Sequence, residues 1–291
     1  MTRRALCVLG DGAADVVADA AAAFDGDVAT VVADATADGT REDGGRTSPT
    51  PAAPGAAPEA ESDLGLDASA GSVRYDLTGA GWTASGVADR SLTAVLDDLS
   101  PRHEHVLVAG ASRPRLSTVV LDDRDPDDVA GDVVRTAADS GAVSPDDLLA
   151  DLRDARPWVT LRTLVDRVED SSRADRSGAL ATFTGRVRAK DGPDDEPTTH
   201  LSFEKYEGVA ADRMDAIEAE LTARDGVFEV AMHHRTGRIE AGEDIVFVVV
   251  LAGHRTEAFR TVEDGIDRLK DEVPIFKKET TVDEEFWLHE H

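Results

Sequence analysis

The order of apolar and polar positions at the start of the chain predicts a strand, a turn, a helix and a second strand. Residues 4–9 consist of Arg4 and a continuous apolar run, which is typical of a buried strand, and the glycine-rich residues 10–12 are typical of a turn. The Ala-rich residues 13–24 predict a helix, and the apolar residues 28–32 predict another strand. Because strands that alternate with helices usually pair as parallel neighbours, this order predicts a parallel α/β sheet.

A polar stretch interrupts this pattern. From about residue 35 to residue 72 the chain consists of Gly, Pro, Ala, Ser, Thr and acidic residues, so it predicts a disordered insertion. Beyond it, the pattern predicts structure at 73–77, a helix near 91–99, strands at 105–108 and 118–121, and helices near 126–138 and 145–153. We assign these elements to a first domain over residues 1–155, with a boundary near Pro157 and Trp158.

The hydrophobic pattern of residues 158–291 predicts a second domain of mixed strands and helices. Strands are predicted at 179–190, 199–206, 228–233 and 245–251, with a final strand at 275–281. Helices are predicted at 161–168, 209–223 and 256–270. The apolar stripe of the last helix comprises Phe259, Val262, Ile266 and Leu269. Pro274 ends this helix, because proline disfavours helical backbone at the residue before it.

Composition excludes several classes of function. The chain has 59 acidic and 31 basic residues and a formal charge of −28, which excludes a generally basic nucleic-acid binder. It has no run of about 18 apolar residues that would span a membrane, and its first apolar stretch is too short for a signal peptide. The single cysteine, Cys7, excludes an intramolecular disulfide, and its buried strand predicts an inert thiol. We therefore expect a cytoplasmic protein.

The distribution of charge is also informative. Acidic residues are dispersed along the chain, and only five of the basic residues are lysines. Scarce lysine with dispersed carboxylates is typical of a halophilic protein, whose charges are screened by concentrated salt. An ordinary acidic protein is the alternative interpretation.

The strand predicted at 179–190 carries a candidate anion site. Side chains alternate along a strand, so Arg186, Arg188 and Lys190 should share one face, and Phe183 should lie on the other. A face of cations without a carboxylate suits a phosphate or carboxylate ligand, because guanidinium groups offer a planar fork of donors. The alternative is a solvated face whose arginines pair with surrounding acids.

A second candidate site is a group of three lysines. Lys270, Lys277 and Lys278 lie within nine residues of one another. Lys270 follows Ile266 by four residues, so we expect it at the edge of the apolar stripe and partly buried. Lys277 and Lys278 should face opposite sides of their strand, so one of them should join Lys270. Amines near other cations can act as acid, base or nucleophile, although a basic rim at a helix end is the plain alternative.

Histidines provide weaker signals. His254 and Arg255 stand between a strand and the last helix, where the pair could bind an anion, move a proton or cap the helix. The run His233, His234 and Arg235 predicts a structural role. A metal site built from histidines 233, 234 and 254 lacks a supporting spacing, so we predict no metal and no cofactor.

Four sequence motifs identify a resemblance over residues 158–291. The runs GALATFTGRVR, LSFEKY, HHRTGRIEAGEDIVFVVVLAGHRTEAF and IDRLKDEVPIFKKE, with a closing Trp287, closely resemble the large, catalytic subunit of molybdopterin synthase. The resemblance implies an α/β hammerhead fold and a homodimer within a heterotetramer. It also implies a small ubiquitin-like carrier whose C-terminal Gly-Gly ends as a thiocarboxylate. Sulfur would be transferred twice from this carrier to cyclic pyranopterin monophosphate, giving the dithiolene of molybdopterin.

The resemblance assigns roles to residues of both candidate sites. Lys270 and Lys277 match the catalytic lysines of the family. Arg188 matches a substrate-binding arginine, and His254 with Arg255 matches a pair that is donated across the dimer. No metal is implied for the sulfur step.

Further expectations follow from these assignments. Phe183 and Arg186 belong to the strand of the substrate-binding arginine, so we expect them at the same site. Ile275 departs from the family, which usually has an aromatic residue there. Because the amine of Lys270 would meet the carrier's terminal glycine, we also predict an isopeptide link to the carrier at Lys270, or less often at Lys277.

The first half has a fainter resemblance. The runs YDLTGAGWTASG and HVLVAGAS are similar to the GTP-binding adapter protein of molybdopterin-guanine dinucleotide biosynthesis, which has a P-loop. Counted from Gly10, the P-loop positions for Gly, Lys and Ser or Thr hold Asp15, Val16 and Val17. We therefore predict a degenerate P-loop-like domain that no longer binds nucleotide and serves in docking.

Two other functions compete with the synthase. One is a non-enzymatic scaffold for ubiquitin-like proteins, against which the combination of Lys270, Lys277 and Arg188 argues. The other is a nucleotide hydrolase formed by the first half, against which the missing P-loop lysine argues.

Overall fold

A computed structural model describes most of the chain. The described residues are 3–33, 73–78, 81–86, 91–113, 115–190, 192–281 and 285–288. The insertion predicted at 35–72 lies outside them. The fold is mixed α/β, with one parallel sheet in the first half and antiparallel sheets in the second.

The elements of the first half agree with the pattern except at two strands. They are β1 Arg4–Leu9, α1 Ala13–Ala23, β2 Val28–Val32, β3 Val73–Thr78, β4 Gly81–Gly86, α2 Leu92–Leu99, β5 His105–Ala109, β6 Ser117–Val120, β7 Asp132–Thr136 and α3 Pro145–Asp154. The pattern missed β4, which pairs with β3. The helix predicted near 126–138 is wrong: Pro126–Asp128 is one 3-10 turn, and β7 follows it. The β-branched residues of β7 favour an extended backbone, and Val133 pairs with Thr118 of β6.

The predicted parallel sheet is confirmed, with β1 at its centre. Its strand order is β2-β5-β1-β6-β7, and every pairing is parallel. Successive side chains of β1 enter different cores, as alternation requires. Leu6 and Val8 pack on the side of α1 and α3, whereas Ala5 and Cys7 pack on the side of α2 and Trp158. Both faces of the sheet are therefore buried, as is usual for parallel sheets.

The described residues of the second half form three α-helices and seven strands. Its elements are α4 Leu161–Glu169, β8 Ala179–Arg186, β9 Thr198–Lys205, α5 Glu207–Thr222, β10 Val227–His234, β11 Gly237–Glu240, β12 Asp244–Ala252, α6 Arg255–Glu272, β13 Ile275–Thr281 and β14 Glu285–Leu288. Every predicted helix and strand of this half is present. The pattern missed β11 and β14, so β13 is not the final strand.

Two antiparallel sheets organise these elements. One has the order β10-β12-β8 and the other β11-β9-β13-β14. Helices α5 and α6 cover one face of the first sheet, where Ile217 and Leu269 pack with Val248, and α4 covers the other face. Phe259 does not join the apolar stripe of α6 as predicted, because its side chain is 65% exposed.

The two halves meet along the segment that joins α3 to α4. Arg4 of β1 forms a bridge with Pro157, and the Trp158 ring packs in the core of the first half. The Nε1 of Trp158 donates a hydrogen bond of 2.7 Å to Asp97 Oδ1 on α2. No helix among the described residues has the length and apolar character needed to cross a membrane.

Candidate active site

A cavity of ≈ 400 Å³ lies between the two antiparallel sheets and the end of α6. Strands β8, β9, β12 and β13 form its walls, and the last turns of α6 close one side. Its lining residues are Phe183, Gly185, Arg186, Arg188, Thr198, Leu201, Phe203, His234, Ile245, Val246, Ile266, Leu269, Lys270, Val273, Ile275, Phe276, Lys277 and Glu279. The cavity therefore combines an apolar wall with four cationic side chains.

The chain reverses after α6 and brings two lysines to this cavity. Lys270 lies in the last turn of α6, and Lys277 lies on β13 opposite Phe203 of β9. Lys278 pairs opposite Ser202 and is not among the lining residues, as alternation along β13 requires. Lys270 is exposed and not partly buried as expected, because the buried stripe of α6 ends at Leu269.

The arginines reach the cavity in a way that differs from simple alternation. Strand β8 ends at Arg186, and its pairing with β12 shifts register between Asp244 and Val246. Phe183, Arg186 and Arg188 consequently all line the cavity, although alternation placed Phe183 on the opposite face. Arg186 Nε donates a hydrogen bond of 3.0 Å to Asp244 Oδ1 on β12, so this arginine pairs with a surrounding acid, as the alternative interpretation expected.

A glycine allows close packing in the wall of the cavity. A Cβ at Gly185 would lie 2.6 Å from Cγ1 of Val246, which is shorter than a van der Waals contact. Phe276 stands on the same cavity, and its ring meets that of Tyr206 edge to face at 5.7 Å. Ile275 also lines the cavity, at the position where the resembled family usually has an aromatic residue.

Sequence reasoning missed three polar residues of the cavity, Thr198, His234 and Glu279. Thr198 Oγ1 donates a hydrogen bond to Glu279. Glu279 follows Lys277 by two residues on β13, so alternation could have placed both on one face. Thr198 offered no such signal, because only the pairing of β9 with β13 brings it there.

The segment that forms most of this cavity is similar to a known protein family. Residues 159–272 match the MoaE protein family. The whole chain is 53% identical over 247 residues to a probable molybdopterin synthase of Haloferax volcanii, with 84% of this chain and 91% of that protein covered. The chain belongs to the molybdopterin synthase family. It is also 35% identical over 159 residues to the molybdopterin synthase catalytic subunit of Oryza sativa subsp. indica, which covers 55% of this chain and 78% of that protein.

Part of the chain is also similar to proteins of known structure. A molybdopterin synthase structure from Staphylococcus aureus is 31% identical, has a TM-score of 0.37, and covers 40% of this chain and 83% of that one. A complex of subunits 1 and 2 of molybdopterin-converting factor from Helicobacter pylori is 23% identical, has a TM-score of 0.38, and covers 46% and 86%.

The MoaE match includes most of the cavity. Arg186, Arg188 and Lys270 lie inside the matched residues, and Lys277 lies just beyond their end. The alignment with the Haloferax protein is much longer and must include residues before 159. That member of the molybdopterin synthase family therefore shares part of the first half as well.

Two residues assigned by resemblance lie away from the cavity of their own chain. His254 and Arg255 are exposed at the start of α6, and neither is among the lining residues. Phe259, one turn further along α6, is exposed too. This surface of the MoaE segment therefore presents an aromatic ring next to a histidine and an arginine.

The histidine run forms part of the wall and of the packing behind it. The His234 ring meets Phe203 edge to face at 4.9 Å, and its Nδ1 lies 2.7 Å from the carbonyl oxygen of Arg235. Arg235 is buried, with hydrogen bonds to the carbonyl oxygens of Val159 and Asp244. The described residues contain no group of three His, Cys, Asp or Glu side chains that could hold a metal ion.

The cysteine is far from this chemistry. Cys7 is fully buried in β1, and its Sγ donates a hydrogen bond of 3.0 Å to the carbonyl oxygen of Ala111. Burial raises the pKa of the Cys7 thiol to about 12. The thiol therefore stays protonated at neutral pH, which makes it a poor nucleophile.

Proposed function

We propose that this protein is the catalytic subunit of a molybdopterin synthase. It transfers sulfur from the thiocarboxylated Gly-Gly end of a small ubiquitin-like carrier to cyclic pyranopterin monophosphate. The observation that carries this proposal is the cavity formed by the MoaE segment together with β13, which Lys270, Lys277, Arg186 and Arg188 all line beside apolar residues. In a chain of charge −28, four cations around one cavity favour an anionic substrate.

Each cationic side chain has a role in this proposal. Arg188 binds the phosphate of the pterin substrate, while Arg186 is oriented by its hydrogen bond to Asp244. Lys277 holds the pterin intermediate from the side of β13. Lys270 engages the terminal carbonyl of the carrier and acts as an acid or base there.

The charge that develops during transfer explains why several cations are needed. The carrier's sulfur forms a bond to a side-chain carbon of the pterin substrate, and a carbon–oxygen bond of that carbon breaks, with the oxygen leaving as water or on the opened phosphate. Water then cleaves the bond between that sulfur and the glycine carbonyl. Sulfur remains on the pterin, and the carrier keeps a carboxylate. Negative charge builds up on the glycine oxygen during cleavage, where Lys270 and Arg188 stabilise it.

The direct test is product formation by the full chain. Cyclic pyranopterin monophosphate and a thiocarboxylated carrier should yield molybdopterin in concentrated KCl, since the dispersed acids and five lysines favour a high-salt solvent. The same carrier with an ordinary carboxylate end is the control and should give no product. Absence of product with a carrier that is active toward another synthase would refute the proposed function.

We also propose that two copies of the chain complete each other's sites. His254 and Arg255 are exposed and outside their own cavity, and the nearby Phe259 leaves an aromatic ring uncovered. A second copy that covers this surface would bring the pair to the neighbouring cavity. The assembly would be a heterotetramer, in which a homodimer of this chain binds two carrier molecules.

Mixing two inactive variants tests this arrangement. A dimer of one Lys270→Ala chain and one Arg255→Ala chain keeps one intact site, because the undamaged lysine and arginine then face each other. Equal mixing should restore about a quarter of the wild-type sites if subunits exchange at random. The rate of molybdopterin formation before and after mixing measures this recovery. No recovery in a mixture that native mass spectrometry shows to contain mixed dimers would contradict the arrangement.

The same geometry leads to a covalent prediction. Lys270 lines the cavity that we propose receives the carrier's glycine, and its amine can attack the glycine carbonyl while that carbonyl is bonded to sulfur. An amide bond then forms, the carbon–sulfur bond breaks and the sulfur leaves as a thiolate, so a fraction of the protein should carry an isopeptide-linked carrier. Lys270 should be modified most and Lys277 less, with Lys190 as the control outside the cavity. Tryptic mass spectrometry of protein from its native host detects the glycine remnant. A remnant found mainly on Lys190, with the cavity lysines clean, would contradict the prediction.

We propose that residues 1–155 and 158–291 are separate domains, the first P-loop-like and the second an α/β hammerhead. The buried clusters support this division, because two consist of residues up to Trp158 and three of residues from Val159 onward. Trp158 itself packs with the first group.

The first domain should not bind nucleotides. Helix α1 starts at Ala13, directly after Gly12, whose φ of 79° is left-handed. A Cβ on Gly12 would lie 2.8 Å from Ser140 Oγ, so the turn is already covered. Val16, at the P-loop lysine position, is buried and supplies no cation. Calorimetry with GTP and ATP should therefore show no saturable binding, and micromolar affinity for either would overturn this interpretation.

A further inference from the structure

A second, smaller cavity of ≈ 90 Å³ lies at the junction of the two halves. Its lining residues are Arg115, Arg156, Pro157, Trp158, Val159, His233, His234, Arg235 and Thr236. Five of these nine are arginines or histidines, and none is acidic. A water molecule occupies about 30 Å³ in the liquid, so the cavity has room for a small ion and not for a nucleotide.

Two buried arginines carry the argument. The side chains of Arg235 and Arg115 are only 3% and 10% exposed. Within the described residues, the buried Nε of each has no hydrogen-bond partner. A buried donor without a partner is costly, and both arginines line this one cavity, which points to an anionic ligand beside their guanidinium groups.

Other donors of these two arginines have acceptors nearby, but the carboxylate oxygens among them are distant. Arg235 Nη2 lies 3.1 Å from the Val159 carbonyl oxygen and 3.4 Å from Asp97 Oδ1. Arg115 Nη2 lies 3.9 Å from Glu243 Oε2, and its guanidinium stacks over the Trp158 ring at 4.8 Å. These distances to carboxylates are long for charge-assisted hydrogen bonds, so the two acids balance the cations only in part.

Arg115 has a strained backbone and a lowered pKa, and a bound anion would favour its charged form. Arg115 has a φ of 72°, in the left-handed region that an arginine rarely adopts. Burial, and after it the charge of Arg235, lowers the pKa of Arg115 to about 10. Arg156 adds a third guanidinium, which pairs with Asp132 at 3.2 Å and remains half exposed.

We propose that this junction cavity binds one tetrahedral inorganic oxyanion, phosphate or sulfate, between Arg115 and Arg235. Such an ion carries the charge that two guanidinium groups match and accepts from several donors at once. Arg115 belongs to the first half and Arg235 to the second, so the ion connects the two. His234 lines both this cavity and the active-site cavity, so the ion lies directly behind the catalytic wall.

Calorimetric titration of inorganic phosphate tests the site. The active-site cavity should also attract phosphate, so the full chain is used with Arg186, Arg188, Lys270 and Lys277 all replaced by alanine, which removes the four cations of that cavity. We expect one phosphate bound per chain in a constant KCl background. Adding Arg115→Gln should weaken binding at least about tenfold, because it removes a charge-assisted donor pair. Adding Arg153→Gln, an exposed arginine of α3 outside the cavity, is the control and should change nothing.

A second variant protects the test against misfolding. Arg156→Gln changes a half-exposed lining residue and should weaken phosphate binding severalfold while the chain stays folded. Phosphate should also raise the unfolding temperature of the parent chain but not of the Arg115→Gln chain, since ligands stabilise the state that binds them. Absence of saturable phosphate binding would overturn the proposal, as would equal binding by the parent chain and both arginine variants.

Discussion

Lys270→Ala should lower the rate of molybdopterin formation by about a hundredfold or more, because it removes the acid or base of the transfer step. The effect should appear in the turnover of bound substrate, since Arg188 and Lys277, which we propose hold the substrate, still line the cavity. The fold should be unchanged, because Lys270 is an exposed residue in the last turn of α6 and buries little. Single-turnover assays with saturating thiocarboxylated carrier measure the transfer step directly.

Lys278→Ala is the matched control for this prediction. Lys278 is one residue from Lys277 on β13 and is not among the lining residues of the cavity. Its removal should leave the transfer rate within about twofold of the wild type, as for surface substitutions outside a site. Equal losses from Lys270→Ala and Lys278→Ala, or none from Lys270→Ala, would show that Lys270 is not the catalytic lysine.

Elements with a strong hydrophobic period could be predicted from the sequence almost to the residue. Strand β1 and strand β2 are continuous apolar runs beside glycine or polar turns, so their limits are clear. Strands β7 and β14 were missed because each is short and framed by acidic residues. Their extended conformation depends on pairing with β6 and β13, which no local pattern reveals.

The active-site cavity was partly predictable for the same reason. The spacing of Lys270 and Lys277 around a helix end placed both lysines near each other before the fold was known. Alternation along β8 failed because the register shift opposite Asp244 turns the strand end. The exposure of Phe259 could not be inferred either, since its spacing is that of a core residue.

Arg235→Ala should have the largest effect on stability, lowering the free energy of unfolding by about 3 kcal/mol or more. The side chain is 3% exposed, stacks over Phe247 at 5.1 Å, and donates to the carbonyl oxygen of Asp244. Its removal leaves unpaired polar atoms and a void where the two halves meet. Denaturant unfolding in constant KCl, without phosphate, measures the loss.

Arg238→Ala is the control for this substitution. Arg238 lies three residues further along the chain, on β11, is about half exposed, and pairs with Glu240 at 2.8 Å. An exposed pair of this kind contributes only about 0–1 kcal/mol. Similar losses from the two substitutions would mean that Arg235 behaves as a surface residue.

The pH dependence of the stability of the Arg235→Ala variant identifies which lost interaction of Arg235 contributes most to the destabilisation. Burial raises the pKa of Asp97, and the charge of Arg235 opposes that rise. Without the arginine the pKa of Asp97 should rise further in the folded state. Folding of the variant then takes up a proton, so the folded variant is favoured as the pH falls. The loss in the free energy of unfolding relative to the wild type should therefore shrink at lower pH. Adding Asp97→Asn should remove this pH dependence, because the neutral amide needs no cation. A deficit that stays constant with pH in the single variant would assign the cost to the lost carbonyl bonds and packing, and not to Asp97.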